Sequence, residues 1–217
     1  MRRSEAGLRT RFSRVPCWLA VLILSTGAGT TVAADGKALY ARCAVCHGAR
    51  GGGVAAAGAP PLAGLDAPYI ERQLKAFASG ARGTRGGDDY GATMRAAVTP
   101  VLNSDSERAA VAAFISALAR PPLPAGAAAS VNGRNYFNAI CSACHGGQGQ
   151  GNVALSAPRL VGLPTSYMTR QLAAFKNGLR AYQQDDRYGA QMRAVAGMLP
   201  DAAAARDVLD YAASLRP

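Results

Sequence analysis

The hexapeptide CAVCHG, from Cys43 to Gly48, separates two thiols by two residues and places a histidine directly after the second thiol. Three chemistries use such a pair. A redox-active dithiol uses it as a reversible disulfide, a zinc site uses it as half of a tetrahedral ligand set, and a c-type haem site uses CxxCH to bond the porphyrin covalently. The rest of the chain decides among these kinds of site.

The motif belongs to an internal duplication. It recurs as CSACHG, from Cys141 to Gly146, and the sequence that follows recurs with it. The stretch PPLAGL from Pro60 matches PRLVGL from Pro158, and YGATMR from Tyr90 matches YGAQMR from Tyr188. Two copies are too few for a solenoid array, so the repetition predicts two similar domains.

Composition and the repeat together predict the domain boundaries. Residues 1–34 join a basic start to the apolar run CWLAVLIL and then to small residues, which is typical of a cleaved secretory signal peptide. A retained membrane anchor is the alternative. We expect an N-terminal domain over 35–119, a short Pro/Ala-rich linker over 120–131 and a C-terminal domain over 132–217.

Each domain is predicted to be mostly α, because apolar residues recur at helical spacing and no run shows the alternation of a strand. Ser104 and Glu107 have the spacing of a capping box, and a short helix is expected to carry each CxxCH. The helical stripes comprise Ile70, Leu74 and Phe77; Val111, Ile115 and Leu118; Met168, Leu172 and Phe175; and Val208, Ala212 and Leu215. A domain this small and this rich in Gly and Ala makes a poor core, which a porphyrin would complete.

The two CxxCH motifs account for both histidines of the chain, which favours haem over its rivals. A zinc site of four cysteines would require the two domains to share one metal, and it would leave the paired histidines unexplained. A thioredoxin-like dithiol is expected beside a βαβ pattern, which is absent. We therefore predict two covalently bound haem c groups. Their attachment residues are Cys43, Cys46, Cys141 and Cys144, and their proximal iron ligands are His47 and His145.

A methionine in each repeat is the candidate for the second axial position on the iron. Met94 and Met192 occupy matching places in YGAxMR, and no further histidine exists. Met168 lies on a helical stripe and is interpreted as a core residue. Met198 is also interpreted as packing, although it is the rival of Met192. His/Met ligation raises the potential of a haem and suits electron transfer.

The succession CxxCHG, PxLxGL, YxxRQLxxFxxGxR and YGxxM resembles the class I cytochromes c, and its duplication is similar to the two-haem cytochrome c4 family. The resemblance extends from about Gly36 to the C-terminus. It implies two tandem, mostly α, class I cytochrome c domains, a periplasmic location and one-electron transfer between respiratory partners. It also implies that the carbonyls of Pro60 and Pro158 accept hydrogen bonds from the proximal imidazoles, which fixes their orientation.

The resemblance implies an electron carrier rather than an enzyme. A terminal oxidase, a quinol-oxidising complex or a dehydrogenase would be its redox partner, and peripheral association with a membrane stays open. Two alternatives remain: a haem subunit of a dehydrogenase complex, such as a flavocytochrome sulfide dehydrogenase, and, less favoured, a dihaem peroxidase with one five-coordinate iron. The net charge of +11 falls to +7 once residues 1–34 are removed, and a positive charge of this size suits acidic partner surfaces. No basic stretch interleaves aromatics as a nucleic-acid groove would, so no nucleic-acid partner is predicted.

Other recurring residues have two interpretations each. Arg82 and Arg180 would either pair with haem propionates or lie solvated at the surface. Tyr69 and Tyr167 would either approach a haem edge or pack at a helix start. The acidic pairs Asp88–Asp89 and Asp185–Asp186 are interpreted as solvated loops.

The assignment of Met192 generates the first prediction. Met192→His should keep both haems bound but lower one of the two midpoint potentials markedly, because imidazole stabilises the oxidised iron more than a thioether does. Redox titration of the purified protein measures this change. Two unchanged potentials would instead point to Met198 as the ligand.

Overall fold

The structure is a computed structural model that describes residues 34–123 and 129–216. The predicted signal peptide, except Ala34, lies outside the described residues, as does the linker segment 124–128. No helix within the described ranges is long and apolar enough to cross a membrane.

The first repeat is built from helices, as predicted. The helices are α1 Gly36–His47, α2 Ala67–Ala78, α3 Asp89–Val98 and α4 Asp105–Ala117, with a 3₁₀ turn at Ala55–Ala57. Helix α4 packs against both α1 and α2, and α3 packs against α2. The last helix therefore joins the CxxCH helix to the rest of the repeat.

The second repeat has the same arrangement. Its helices are α5 Val131–Tyr136, α6 Ser142–His145, α7 Thr165–Lys176, α8 Arg187–Gly197 and α9 Ala202–Ser214, with a π-helical turn at Phe137–Cys141 between α5 and α6. Helix α9 packs against α5 and α7, and α8 packs against α7. In the parts of the chain that the structure describes, β-structure is limited to the isolated bridges Val54–Ala59 and Asn152–Ala157.

The predicted helical stripes form the cores of the two repeats. Helix α2 buries Ile70, Leu74 and Phe77, and α4 buries Val111 and Ile115. In the second repeat the buried stripe residues are Met168, Phe175, Val208 and Ala212, whereas Leu172 and Leu215 are only partly buried. Periodicity alone therefore located most of the core.

A glycine marks the closest approach between the first and last helices of each repeat. A Cβ on Gly36 would lie 2.2 Å from the carbonyl oxygen of Ala110, and one on Gly133 would lie 2.1 Å from that of Asp207. Any larger residue would separate α1 from α4, or α5 from α9. Close packing of the first helix of each repeat, which carries or leads into the CxxCH motif, thus depends on the absence of a side chain.

The π-helical turn accommodates a one-residue difference between the repeats. Tyr40 and Phe137 are equivalent, because each is buried and each packs its ring on an aromatic residue of the last helix, Phe114 or Tyr211. From that ring to the first cysteine of the motif, the second repeat has one residue more, up to Cys141. A π turn absorbs one extra residue without breaking a helix, and such turns are frequent at functional sites.

The capping box at the start of α4 generates the second prediction. The side chain of Ser104 accepts a hydrogen bond from the backbone N–H of Glu107, and the Glu107 carboxylate accepts one from the N–H of Ser104. Ser104→Ala should lower the free energy of unfolding by about 1 kcal/mol. Denaturant unfolding followed by circular dichroism measures this loss.

The control for that prediction is Ser116→Ala on the same helix, where the serine makes no side-chain hydrogen bond in the described residues. We expect it to leave the midpoint of unfolding almost unchanged. An equal loss in both variants would show that the cap contributes nothing specific.

Candidate haem-binding sites

Helix α1 delivers His47 at its last residue and then turns sharply. Asp35 caps its start by accepting hydrogen bonds from the N–H groups of Lys37 at 2.9 Å and Ala38 at 3.2 Å. Gly48 ends the helix at a φ of 80°, which is accessible to glycine and rarely to other residues. Gly146 repeats this turn after His145 with a φ of 81°. The glycine of each CxxCHG therefore lets the chain leave the helix immediately after the histidine.

The loop after each motif brings a proline carbonyl back to the imidazole. His47 Nδ1 lies 2.9 Å from the carbonyl oxygen of Pro60, and His145 Nδ1 lies 2.7 Å from that of Pro158. Gly53 permits the tight return, since a Cβ there would lie 2.7 Å from the nitrogen of Pro61. A carbonyl only accepts hydrogen bonds, so Nδ1 of each ring carries the proton.

This tautomer leaves the lone pair of Nε2 available on both imidazoles. Both rings are 5% exposed, and His47 Nε2 is buried without a hydrogen-bond partner. Burial lowers the pKa of His47 and of His145, against the opposing effect of the proline carbonyls, so the neutral ring is favoured. An unpaired buried nitrogen is costly unless a ligand satisfies it, and a neutral imidazole nitrogen is a good ligand for iron.

The cysteines fit covalent attachment better than thiol chemistry. Cys43 and Cys141 are partly buried, whereas Cys46 and Cys144 are exposed, and all four are free thiols. Burial raises the pKa of Cys43 and raises that of Cys141 to about 11. Redox-active thiols have lowered pKa values. In the described residues, no group of three or more His, Cys, Asp or Glu side chains lies together in a way that could hold a metal ion.

The two repeated methionines lie on matching helices. Met94 on α3 is partly buried and packs on the same core cluster as Cys43. Met192 on α8 packs on a small cluster of Phe175, Ala181 and Ala196. The role of the two methionines as iron ligands stays a prediction.

The acidic pairs before these helices are more than solvated loops. Asp88 caps α3 by accepting from the N–H of Gly91 at 2.9 Å, and Asp186 caps α8 by accepting from the N–H of Gly189 at 2.8 Å. The interpretation as solvated loops therefore holds for the exposed Asp185 and was wrong for Asp89, which is the first residue of α3. It left out the capping roles of Asp88 and Asp186. Aspartate is a preferred residue directly before the first residue of a helix, and its place just before the repeated helical stretch YGAxMR is the signal that could have identified both caps.

The remaining methionines divide as core and surface. Met168 is 4% exposed, which confirms its interpretation as a core residue. Met198 is 63% exposed at the C-terminal end of α8, so its interpretation as a packing residue was wrong. Its equivalent, Val101, is partly buried and packs against the core of the first repeat.

A closed ring of hydrogen bonds connects the two repeats. Arg82 donates to Gln73 and Gln171, both at 2.7 Å, and Arg180 donates to Gln171 at 2.7 Å and to Gln73 at 2.9 Å. Each glutamine carbonyl thus accepts one bond from each repeat. The surface alternative for Arg82 and Arg180 was wrong, because they are only 8% and 7% exposed.

The ring holds two guanidinium groups without a carboxylate. Burial lowers the pKa of Arg82, and the neighbouring charge of Arg180 lowers it further. Neither arginine forms an ion pair with any residue in the described ranges. Tyr167 lies beside Arg82, and burial raises the pKa of its phenol. Like charges buried together favour a bound anion.

Sequence reasoning missed this interface. Gln73 and Gln171 were matched as repeat residues of RQL, but no contact between repeats was inferred from them. The available signal was a polar pair recurring beside an apolar helical stripe in both copies.

Comparison with known proteins agrees with this geometry. The family model described as Cytochrome c matches residues 33–119 and again 130–216. The thiosulfate dehydrogenase electron acceptor of Stutzerimonas stutzeri (strain A1501) is 36% identical, over 82% of this chain and 85% of its own length. Cytochrome c4 of Azotobacter vinelandii is 30% identical, over 83% of this chain and 87% of its own.

Solved structures show the same similarity. Reduced recombinant cytochrome c4 from Pseudomonas stutzeri superposes with a TM-score of 0.67 at 26% identity, covering 83% of this chain and 97% of that one. Thiosulfate dehydrogenase from Marichromatium purpuratum superposes with a TM-score of 0.65 at 31% identity, covering 84% of this chain and 40% of that one.

A buried tyrosine at the first site generates the third prediction. The hydroxyl of Tyr40 donates to the carbonyl oxygen of Gly48 at 2.7 Å and so holds the turn directly after His47. Tyr40→Phe should lower the free energy of unfolding by about 1 kcal/mol, because the Gly48 carbonyl loses its buried donor. Denaturant unfolding of the haem-loaded protein measures the loss.

The matched control is Tyr136→Phe, since that tyrosine is partly buried and its hydroxyl makes no hydrogen bond in the described residues. It should unfold like the parent protein. Equal stabilities for all three proteins would contradict the prediction.

Proposed function

Because the chain belongs to the cytochrome c family, as a two-haem member of the cytochrome c4 type, we propose that it accepts electrons from a dehydrogenase that oxidises a reduced sulfur compound. The chain carries two covalently bound haem c groups and is an electron carrier. The proposal concerns the donor, the axial ligands and the location of the protein.

We assign His47 and Met94 to the iron of the first haem and His145 and Met192 to that of the second. The unpaired Nε2 of His47 supports the proximal assignment. Met94 and Met192 are supported by their matching helices and by the capping aspartates that fix where those helices begin. Haem bound in this way supplies a reversible one-electron centre, and the chain orients the imidazole and excludes water from it.

We further assign the buried pair Arg82 and Arg180 to the haem propionates. The positive charges of these two guanidinium groups have no protein carboxylate beside them, and haem propionates would neutralise them. Each guanidinium also stacks on a phenylalanine of its own repeat, Arg82 on Phe77 at 4.4 Å and Arg180 on Phe175 at 4.1 Å. Both haems would then direct their acidic edges to the interface between the repeats. Proximity of the two haems would allow an electron to pass between them within one molecule.

Similarity to named acceptors supports a sulfur-oxidising donor. Two proteins named thiosulfate dehydrogenase electron acceptor, from Stutzerimonas stutzeri and Thiomonas intermedia, are 36% and 37% identical to this chain, whereas cytochrome c4 of Azotobacter vinelandii is 30% identical. Joining two thiosulfate ions through a new S–S bond forms tetrathionate and releases two electrons. Two haems accept one electron each, so one molecule matches one turnover.

The location and the onward path complete the proposal. Export by the predicted signal peptide places the carrier in the periplasm. Removal of residues 1–34, which carry five arginines and one glutamate, lowers the net charge from +11 to +7. The remaining positive charge favours encounters with acidic partner surfaces, including a terminal oxidase that removes the electrons. A matching methionine in both repeats argues against a peroxidase, which needs one open iron.

The fourth prediction tests the donor. Oxidised protein mixed anaerobically with thiosulfate and a thiosulfate dehydrogenase should be reduced at both haems, as followed by visible absorption. Thiosulfate without the enzyme is the control and should give no reduction on that timescale. Reduction by a quinol-oxidising complex, with none by the dehydrogenase, would instead identify a respiratory carrier.

A further inference from the structure

Two arginines reach across the interface and bind the haem-site loops of the opposite repeat. Arg170, on α7, donates from Nη2 to the carbonyl oxygen of Gly58 at 2.7 Å. Arg72, at the equivalent position on α2, donates from Nη2 to the carbonyl oxygen of Ser156 at 3.0 Å. These contacts are separate from the ring formed by Arg82 and Arg180.

Each arginine also covers a tyrosine of the opposite repeat. The guanidinium carbon of Arg170 lies 4.3 Å from the ring centre of Tyr90, and that of Arg72 lies 5.0 Å from the ring centre of Tyr188. Both separations are within the range of a cation–π contact. One side chain therefore holds a backbone carbonyl and an aromatic ring together.

The two groups that Arg170 holds belong to the segments that carry the two assigned iron ligands of the first haem, the loop that contacts His47 and the helix of Met94. Gly58 stands two residues before Pro60, whose carbonyl binds the imidazole of His47. Tyr90 stands on α3, one helical turn before Met94. The two segments touch, since a Cβ on Gly58 would lie 2.4 Å from the Tyr90 ring. Arg170 thus fastens the joint between the proximal loop and the distal helix.

The second site has the same joint, fastened by Arg72. Ser156 stands two residues before Pro158, and Tyr188 stands one helical turn before Met192. Ser156 adopts a φ of 57°, which glycine occupies without strain at the equivalent position of the first repeat. The Tyr188 hydroxyl accepts hydrogen bonds from the side chains of Ser156 and Arg187, which lower the pKa of Tyr188. In the described residues, the first site has no matching contact at Tyr90.

From these contacts we propose that Arg170 and Arg72 are positioning residues that act across the interface, each setting the midpoint potential of the haem in the opposite repeat. The proposal rests on the His/Met ligation assigned above. If the contact between the proximal loop and the distal helix is lost, the methionine on that helix is positioned less firmly. Its sulfur–iron bond is then weaker, and a weaker bond lowers the midpoint potential of the haem. Each iron is thus tuned by a side chain that belongs to the other domain.

The fifth prediction uses full-length, haem-loaded protein. Arg170→Gln should make the haem attached at Cys43 and Cys46 at least threefold harder to reduce, which is about 28 mV at 59 mV per tenfold for one electron. The haem at Cys141 and Cys144 should change by much less. Redox titration followed by NMR measures each haem separately. The signals of each porphyrin are assigned through their contacts with the two cysteines to which it is bonded, so the assignment does not depend on the axial methionine.

The reciprocal variant should show the reciprocal effect. Arg72→Gln should lower the potential of the haem at Cys141 and Cys144 and leave the other haem nearly unchanged. Its effect should be smaller than that of Arg170→Gln, because its two contacts are longer and Arg187 also stacks on Tyr188, at 4.5 Å.

Two controls separate positioning from charge. Arg206→Gln removes one exposed positive charge from the second repeat and should shift neither haem selectively. Arg170→Lys keeps the charge but loses the planar fork that contacts carbonyl and ring together. It should show a smaller shift of the same haem in the same direction, and it replaces the glutamine variant if that variant fails to accumulate.

The proposal is overturned if folded Arg170 variants shift the second haem alone, both haems equally or neither haem. It is also overturned if Arg170→Lys matches the parent protein, since charge would then explain the shift. The far-red absorption band of methionine-ligated ferric haem separates the two proposals. Its absence from the parent protein would remove the His/Met assignment, whereas its presence with no selective shift would remove only the action across the interface.

Discussion

The buried imidazole at the end of each CxxCH helix is the constraint on which the rest of the structure depends. A proline carbonyl fixes one nitrogen of His47 at 2.9 Å, and the other nitrogen is buried without a protein partner. Such an atom is costly in a folded chain unless a ligand satisfies it. The turn at Gly48 and the loop that returns Pro60 both serve this geometry, because they bring the carbonyl to the ring without a long connection.

The small size of each repeat is a second reason to expect a bound cofactor, because a core this small stabilises the fold only weakly. Each core is made of a few helical stripes, and the aromatic content of the chain is only 6%. Domains of this size bury a low fraction of their surface and usually need a cofactor or a covalent staple. Covalently bound haem is both, since its porphyrin adds apolar area and its two thioether bonds fix it to the helix.

Four arginines make the hydrogen bonds described between the two repeats. Arg82 and Arg180 share two glutamine carbonyls, and Arg72 and Arg170 each contact a carbonyl and a tyrosine of the other repeat. Of these, Arg82 and Arg180 are buried, and buried cations are tolerated where acceptors and anions are provided. The two haem sites are consequently connected through polar side chains, so a change at one site has a physical route to the other.

The sequence by itself determined the fold class, the duplication, the haem attachment and most of the core, because CxxCH spacing and helical periodicity are local signals that depend on neighbouring residues. The helical stripe of α2 and the capping box of Ser104 were identified in this way. Only the tertiary structure decided that Arg82 is buried, that Asp88 caps a helix and that Arg170 contacts Gly58. Contacts between residues far apart in the chain produce no periodicity in the sequence. A charged side chain is predicted to be exposed to solvent unless its hydrogen-bond acceptors in the fold are known.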